Sequence, residues 1–187
     1  AAAIGSNVYL VGGESENGAT TQFLKLDLEN LEAGWQIQPS FPVPVSGAMA
    51  TAQMDGEEVS LQVFGGRAKL AEDSTTTFYS HVFRFRPSTG KWKKMQNIRL
   101  SDGTVLPLAA GIAAPVGASH IVLAGGDSGE TFKEVEKAIQ KMNNGSPAMR
   151  EVRDSLWQNH PGFNKKIMVY NTVTDVWFEA GKWQGTP

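Results

Sequence analysis

The chain has 187 residues, 41% apolar and 19% charged, with 17 basic against 19 acidic side chains and a formal net charge of −2. That length suits one compact domain, the composition can bury a core, and the even charge gives no electrostatic footing for nucleic acid or an anionic membrane. Cysteine is absent, which removes disulfides, thiolate metal ligands, cysteine nucleophiles and cysteine-linked cofactors. No apolar run reaches the ~18 residues of a membrane helix, and Ala1-Ala2-Ala3-Ile4 has neither the basic region nor the apolar stretch of an intact signal peptide. The 20 Gly, 9 Pro, 5 Trp and 9 Phe point to many short strands joined by tight turns.

Along the chain one pattern recurs. Ile4-Gly5-Ser6-Asn7 reads as a turn, with the strand before it missing. Asn7-Val8-Tyr9-Leu10-Val11 then forms a β-rich run stopped by Gly12-Gly13. A polar loop leads to Gln22-Phe23-Leu24-Lys25-Leu26, and a further turn to Trp35. The second unit opens on a strand of small residues, Ser46 to Ala52. It continues through Val59 to Phe64, Gly65-Gly66, His81 to Phe85, the turn Pro87-Ser88-Thr89-Gly90, and Trp92. The third repeats this with Leu108 to Ala114, His120 to Ala124, Gly125-Gly126, Ile167 to Tyr170, the turn Asn171 to Asp175, and Trp177. Gly13, Gly66 and Gly126 stand 53 and 60 residues apart. Small side chains on the opening strands permit close backbone approach, as on the innermost strand of a radial sheet. Each unit is therefore expected to be a four-stranded antiparallel meander, with eleven strands in all. A four-stranded sheet repeated at this period is the signature of a propeller blade.

The third unit is longer: 51 residues separate Gly126 from Trp177, against 26 and 22 for the equivalent pairs. The surplus reads as two helices. Thr131 and Glu134 make a capping-box pattern, with Phe132, Val135, Ile139 and Met142 at helical spacing and Asn143-Asn144-Gly145 as the stop. Ser146-Pro147 is expected to start the second helix, whose apolar face is Met149, Val152 and Leu156. The insertion either pads the fold or serves as a lid or partner contact. The expected organisation is a partial propeller over 1–187: a blade at 1–42 lacking its first strand, a blade at 43–100, and a blade at 101–187 with the helical insertion at 128–160.

The Gly pairs, the aromatic or apolar residue before the turn and the following Trp resemble the kelch motif. Phe64-Gly65-Gly66-Arg67, the insertion after Gly126 and the stretch from His160 through Trp177 resemble, more specifically, the cyclically permuted mutarotase family, which includes bacterial N-acetylneuraminate epimerase. The resemblance implies an all-β kelch-type propeller of six blades, of which this chain supplies about three. It stops at Gly185-Thr186-Pro187, where a next blade is expected to begin, so a second chain or a missing segment is expected to complete the ring. Three blades do not close one, and open sheet edges invite pairing. The resemblance further implies conversion of the α anomer of N-acetylneuraminate to the β anomer by acid/base ring opening, a periplasmic or exported bacterial location, and no cofactor. The alternative is a non-enzymatic kelch module that binds a protein or glycan, since fold alone does not decide function.

The residues that follow the Gly pairs come from three blades and could converge: Glu14, Arg67 and Asp127. Arg67 can grip a carboxylate bidentately, which a sialic acid would supply, or form a salt bridge between blades. Glu14 and Asp127 are candidates for acid/base work or for capping turns. Phe163, in His160-Pro161-Gly162-Phe163, would stack on a sugar face or pin the loop, the second being the favoured role. The family's acidic and basic pair sits in a Gly-Glu…Arg setting that no position here matches, so no catalytic residue is assigned. His81, His120 and His160 lie too far apart in sequence to suggest a metal site. Gly126-Asp127-Ser128-Gly129 superficially resembles a serine-protease segment, but no His or oxyanion context accompanies it. Asn144-Gly145-Ser146 matches a glycosylation acceptor only weakly. Trp35, Trp92 and Trp177 are expected between blades.

Overall fold

A computed structural model describes residues 1–72 and 74–184. The residues Gly185 to Pro187, where the next blade is expected to begin, lie outside the described ones. The first blade contains β1 (Ala2–Ile4), β2 (Asn7–Val11), β3 (Glu14–Ser15), β4 (Gly18–Ala19), β5 (Phe23–Asp27) and β6 (Gln36–Ile37). Its sheet runs β1-β2-β5-β6, while β3 and β4 form a separate hairpin. The second contains β7 (Met49–Met54), β8 (Val59–Phe64), β9 (Arg67–Ala68), β10 (Thr77–Phe78), β11 (Val82–Arg86) and β12 (Lys91–Lys94). Its sheet runs β7-β8-β11-β12, and β9 pairs with β10. The third contains β13 (Ala109–Val116), β14 (His120–Asp127), α1 (Glu130–Asn143), α2 (Met149–Gln158), β15 (Lys166–Asn171) and β16 (Val176–Lys182), in the order β13-β14-β15-β16.

The opening strand of the first blade is not missing. Ala2, Ala3 and Ile4 pair with Tyr9, Val8 and Asn7, so twelve strands build the blades, one more than the sequence suggests. The run of alanines carries no β-branched alternation to announce a strand, yet small residues suit the innermost position. Gly5, at φ +56°, makes the turn that follows. The inner strands β1, β7 and β13 lie side by side, which is the radial arrangement of a propeller.

The core lies between the blades. Tyr9, Phe23, Phe41, Val63, Phe83 and Phe85 fill the space between the first and second. Met49, Phe64, Ile98, Leu123, Tyr170 and Trp177 fill that between the second and third. Trp92 and Trp177, which recur in the same place of their blades, reach backward. Trp92 packs on Phe23 and Phe41 at 4.9 Å each and donates to the Pro39 carbonyl at 3.1 Å. Trp177 packs on Phe64 at 5.9 Å and donates to the Gln96 carbonyl at 3.3 Å. Trp35, expected between blades, is instead 48% exposed, because among the described residues no blade packs behind the first.

The Gly pairs have a specific cause. Gly13 N–H donates to the Val45 carbonyl and Gly66 N–H to the Leu108 carbonyl, each acceptor belonging to the next blade. Val45 and Leu108 in turn donate to Thr20 and Tyr79 of the blade behind. This approach is too close for a side chain: a Cβ on Gly12 or Gly65 would sit 2.2 or 2.0 Å from the same carbonyl oxygens, Val45 and Leu108 respectively, at positive φ.

The insertion is helical but starts differently from its sequence signals. α1 begins at Glu130, one residue before the expected cap Thr131, with Gly129 in the left-handed region at the N-cap and no side-chain cap. The reason is space: a Cβ on Gly129 would fall 2.3 Å from the Phe78 ring. α2 begins at Met149 rather than at Ser146-Pro147, whose carbonyls accept from Met149 and Arg150 in a preceding turn. α1 buries Val135 and Ala138, whereas α2 buries none of its residues. No helix among the described residues is long and apolar enough to cross a membrane.

Candidate functional site

The β3–β4 and β9–β10 hairpins that follow the first two Gly pairs lie side by side, and α1, which follows the third, packs on the second of them. Its Glu136 carboxylate accepts from the Thr76 N–H at 2.7 Å and from the Thr76 hydroxyl at 2.8 Å. Its Phe132 packs edge-on to Phe78 at 5.6 Å. The insertion of the third blade is therefore anchored on the second.

Arg67 lies beneath this anchor. Its backbone exchanges hydrogen bonds of 2.8 Å with Ser46 in both directions, which ties it to the start of the inner strand β7. The guanidinium carbon stands 4.8 Å from the Phe132 ring centre and 6.0 Å from that of Phe78. The inter-blade salt bridge considered for it does not form: among the described residues Arg67 has no carboxylate partner. Lys133, 5.7 Å from the Phe78 ring, adds a second cation and likewise pairs with no described carboxylate.

Asp127 ends β14, and its Oδ1 accepts from the Gly129 N–H at 2.8 Å, so it shapes the turn into α1. It also lines two cavities, of about 470 and 250 Å³, together with His160 and Phe163. His160 Nδ1 accepts from the Gly162 N–H at 3.0 Å; that bond places the proton of the neutral ring on Nε2. Phe163 does not pin its loop. It is 60% exposed, stands 6.0 Å from His160, and also lines a third cavity of about 340 Å³ with Gly125, Gly126 and Trp183. Ala110, on the rim of that third cavity, holds φ +59° between the pairs Ala109–Asp127 and Gly111–Gly125. A non-glycine residue held at positive φ is a strained position of the kind found near sites.

Glu14 sits apart from these cavities, exposed on the β3–β4 hairpin, although β4 packs beside β9 and so brings the two hairpins together. The structure thus joins Asp127 with Phe163 and sets Arg67 under the same helix. Sequence reading missed Phe78, Lys133 and the role of Phe132, which helical periodicity assigned only to an apolar face. His81, His120 and His160 stay separate, and among the described residues no three acidic or histidine side chains cluster as a metal site would need.

A family model described as N-acetylneuraminate epimerase matches residues 1–187. The N-acetylneuraminate epimerase of Salmonella arizonae is 26% identical over 180 residues, covering 89% of this chain and 42% of that protein. That of Brucella suis is 25% identical over 187 residues, covering 97% of this chain and 45% of that protein. The solved structure of YjhT matches with a TM-score of 0.74 at 21% identity, covering 98% of this chain and 50% of that one, a likeness that establishes the propeller fold. The chain spans less than half the length of these curated relatives.

Proposed function

The chain belongs to the N-acetylneuraminate epimerase family, and we propose that it forms half of a propeller that converts α-N-acetylneuraminate to its β anomer. Arg67 is the observation that carries this reading. Its guanidinium carbon stands 4.8 Å from the centre of the Phe132 ring, a cation–π contact that leaves N–H donors free for a ligand. With no described carboxylate competing for those donors, it is suited to the bidentate grip of a sugar acid. Lys133 adds positive potential beside it. Phe163, exposed beside His160 and Asp127, offers an apolar ring for the sugar face.

Anomer exchange by ring opening needs one group to take the proton of the anomeric hydroxyl while the ring carbon–oxygen bond breaks, and another to protonate the ring oxygen. Closure on the other face returns both protons. Asp127 and Glu14 are the acidic side chains that follow Gly pairs, but Asp127 is engaged with Gly129 and Glu14 is exposed and apart from the cavities, so neither is assigned as acid or base. The catalytic pair is proposed to stand in the blades that complete the ring, whether these come from a further segment or a second chain. A periplasmic location is part of the same proposal.

The experiment is NMR-monitored α-to-β conversion with the ring complete. The expected result is acceleration over the spontaneous rate. No acceleration would remove the enzyme reading and leave a kelch module that binds a glycan or protein. Arg67→Ala is expected to weaken N-acetylneuraminate binding about tenfold or more, the scale of a lost charge-assisted hydrogen-bond pair. Unaltered affinity would return Arg67 to a purely structural role.

A further inference from the structure

We propose that Phe132 is a positioning residue for Arg67, so that the helical insertion acts as a specificity element for sugar acids. The inference rests on the carboxylate site proposed above. Arg67 has a fixed backbone but a long side chain, and among the described residues no carboxylate holds its head. A free arginine of this kind would lose much rotamer entropy on gripping a ligand. Here the Phe132 ring stands 4.8 Å from the guanidinium carbon and Phe78 6.0 Å, so two aromatic rings restrict the head before any ligand arrives.

Phe132 is itself held from three sides. It packs on Phe78 at 5.6 Å. One turn along α1, Glu136 takes both hydrogen bonds from Thr76. At the helix start, Gly129 lies so close to the Phe78 ring that no side chain would fit between them. These contacts all join the third blade's insertion to the β9–β10 hairpin that carries Arg67. The insertion thus reaches the anion through the arginine. A neutral ester accepts from the same N–H donors without the charge, so it gains less from this arrangement than the acid does.

The test uses the Arg67 Nε–H resonance of the 187-residue chain, with N-acetylneuraminate and its neutral methyl ester as probes. In the wild type the resonance should be shifted by the Phe132 ring. Phe132→Ala should return it toward the position of a free arginine, and Phe132→Tyr should retain the shift. For the acid, Phe132→Ala should cost about two- to fivefold in affinity, with recovery in Phe132→Tyr. The methyl ester should lose less affinity than the acid in Phe132→Ala. An Arg67 resonance unmoved by Phe132→Ala overturns the proposal, as does equal loss for acid and ester, which marks a general structural defect. If N-acetylneuraminate leaves the wild-type resonance untouched, the carboxylate site fails while the resonance still decides whether Phe132 holds the arginine.

Discussion

Asp55 lies between β7 and β8 with its carboxylate wholly buried. It accepts from Arg86 Nε at 2.8 Å and from the Glu57 and Glu58 N–H groups, with Arg84 at 3.4 Å. Burial pushes its carboxyl up, but the bonds from Arg86, Glu58, Glu57 and Ser60 together outweigh this and hold it at about 2, below the ordinary 3.8. A depressed carboxyl stabilises the fold fully above its unfolded value and loses that contribution as pH falls through its folded value. Stability should therefore drop between pH 3.8 and about 2, and Asp55→Asn should flatten this part of an acid-unfolding curve followed by circular dichroism. Asp55→Ala should cost about 3–5 kcal/mol at neutral pH, because buried Arg84 loses its carboxylate and half-buried Arg86 keeps only the exposed Glu57. A shift below 1 kcal/mol would show that the arginines find other partners. None of this was visible in the sequence, where Asp55 reads as an ordinary turn residue. Arg67 was legible as a candidate, since the position after a Gly pair is marked by the repeat. Its partner Phe132 was not: 65 residues separate them, and only the docking of α1 brings them together.

Elements that repeat were read more fully than elements that occur once. The Gly pairs and tryptophans recur because each blade must meet its neighbour in the same way, and that physical demand leaves a periodic trace. β1 was missed because three residues of mostly alanine give no alternation. The start of α1 was misplaced because Gly129 is selected by the Phe78 ring, far away in sequence, and outweighs the local capping pattern of Thr131 and Glu134. Two element-scale predictions follow this logic. Gly129→Ala adds a methyl where the ring stands and strains a positive φ, so it should destabilise the docked insertion by about 1–3 kcal/mol. Hydrogen exchange should localise that loss to α1 and the β9–β10 hairpin; uniform loss of protection would contradict it. Gly65→Ala should be far worse than Gly125→Ala in thermal melts. Gly65 would drive its methyl to 2.0 Å from the Leu108 oxygen, whereas Gly125 has open space and only its φ of +68° to strain, at roughly 1 kcal/mol.

At the scale of the whole molecule, two blade faces lack the cover that their equivalents have. Behind the first blade, Trp35 is 48% and Ile37 84% exposed. Ahead of the third, Ile112 is 65% exposed, although its register equivalent Met49, paired with Phe64 as Ile112 is with Ala124, is buried. Surfaces of this kind associate when left open. The isolated chain should therefore run in solution above its 20.2 kDa mass when measured by light scattering. A stable monomer would contradict the open-face argument. Once a blade does cover the third, Gly125→Ala should become as damaging as Gly65→Ala, which makes that substitution a sensor of ring completion.

The exchange between Gly pair and following blade also gives the arc a direction. Each blade reaches forward through its second glycine and is met by a carbonyl of the blade ahead, Val45 for Gly13 and Leu108 for Gly66. Gly126 holds the same forward position, and among the described residues no blade meets it. An arc built on such a one-way handshake has a leading and a trailing end that differ in chemistry, as a magnet has poles. Lengthening it moves the ends apart without removing either. Only closure on itself does so, and then no blade is first: which one begins the polypeptide becomes a matter of where the chain is cut, with no consequence for the packing of the disc.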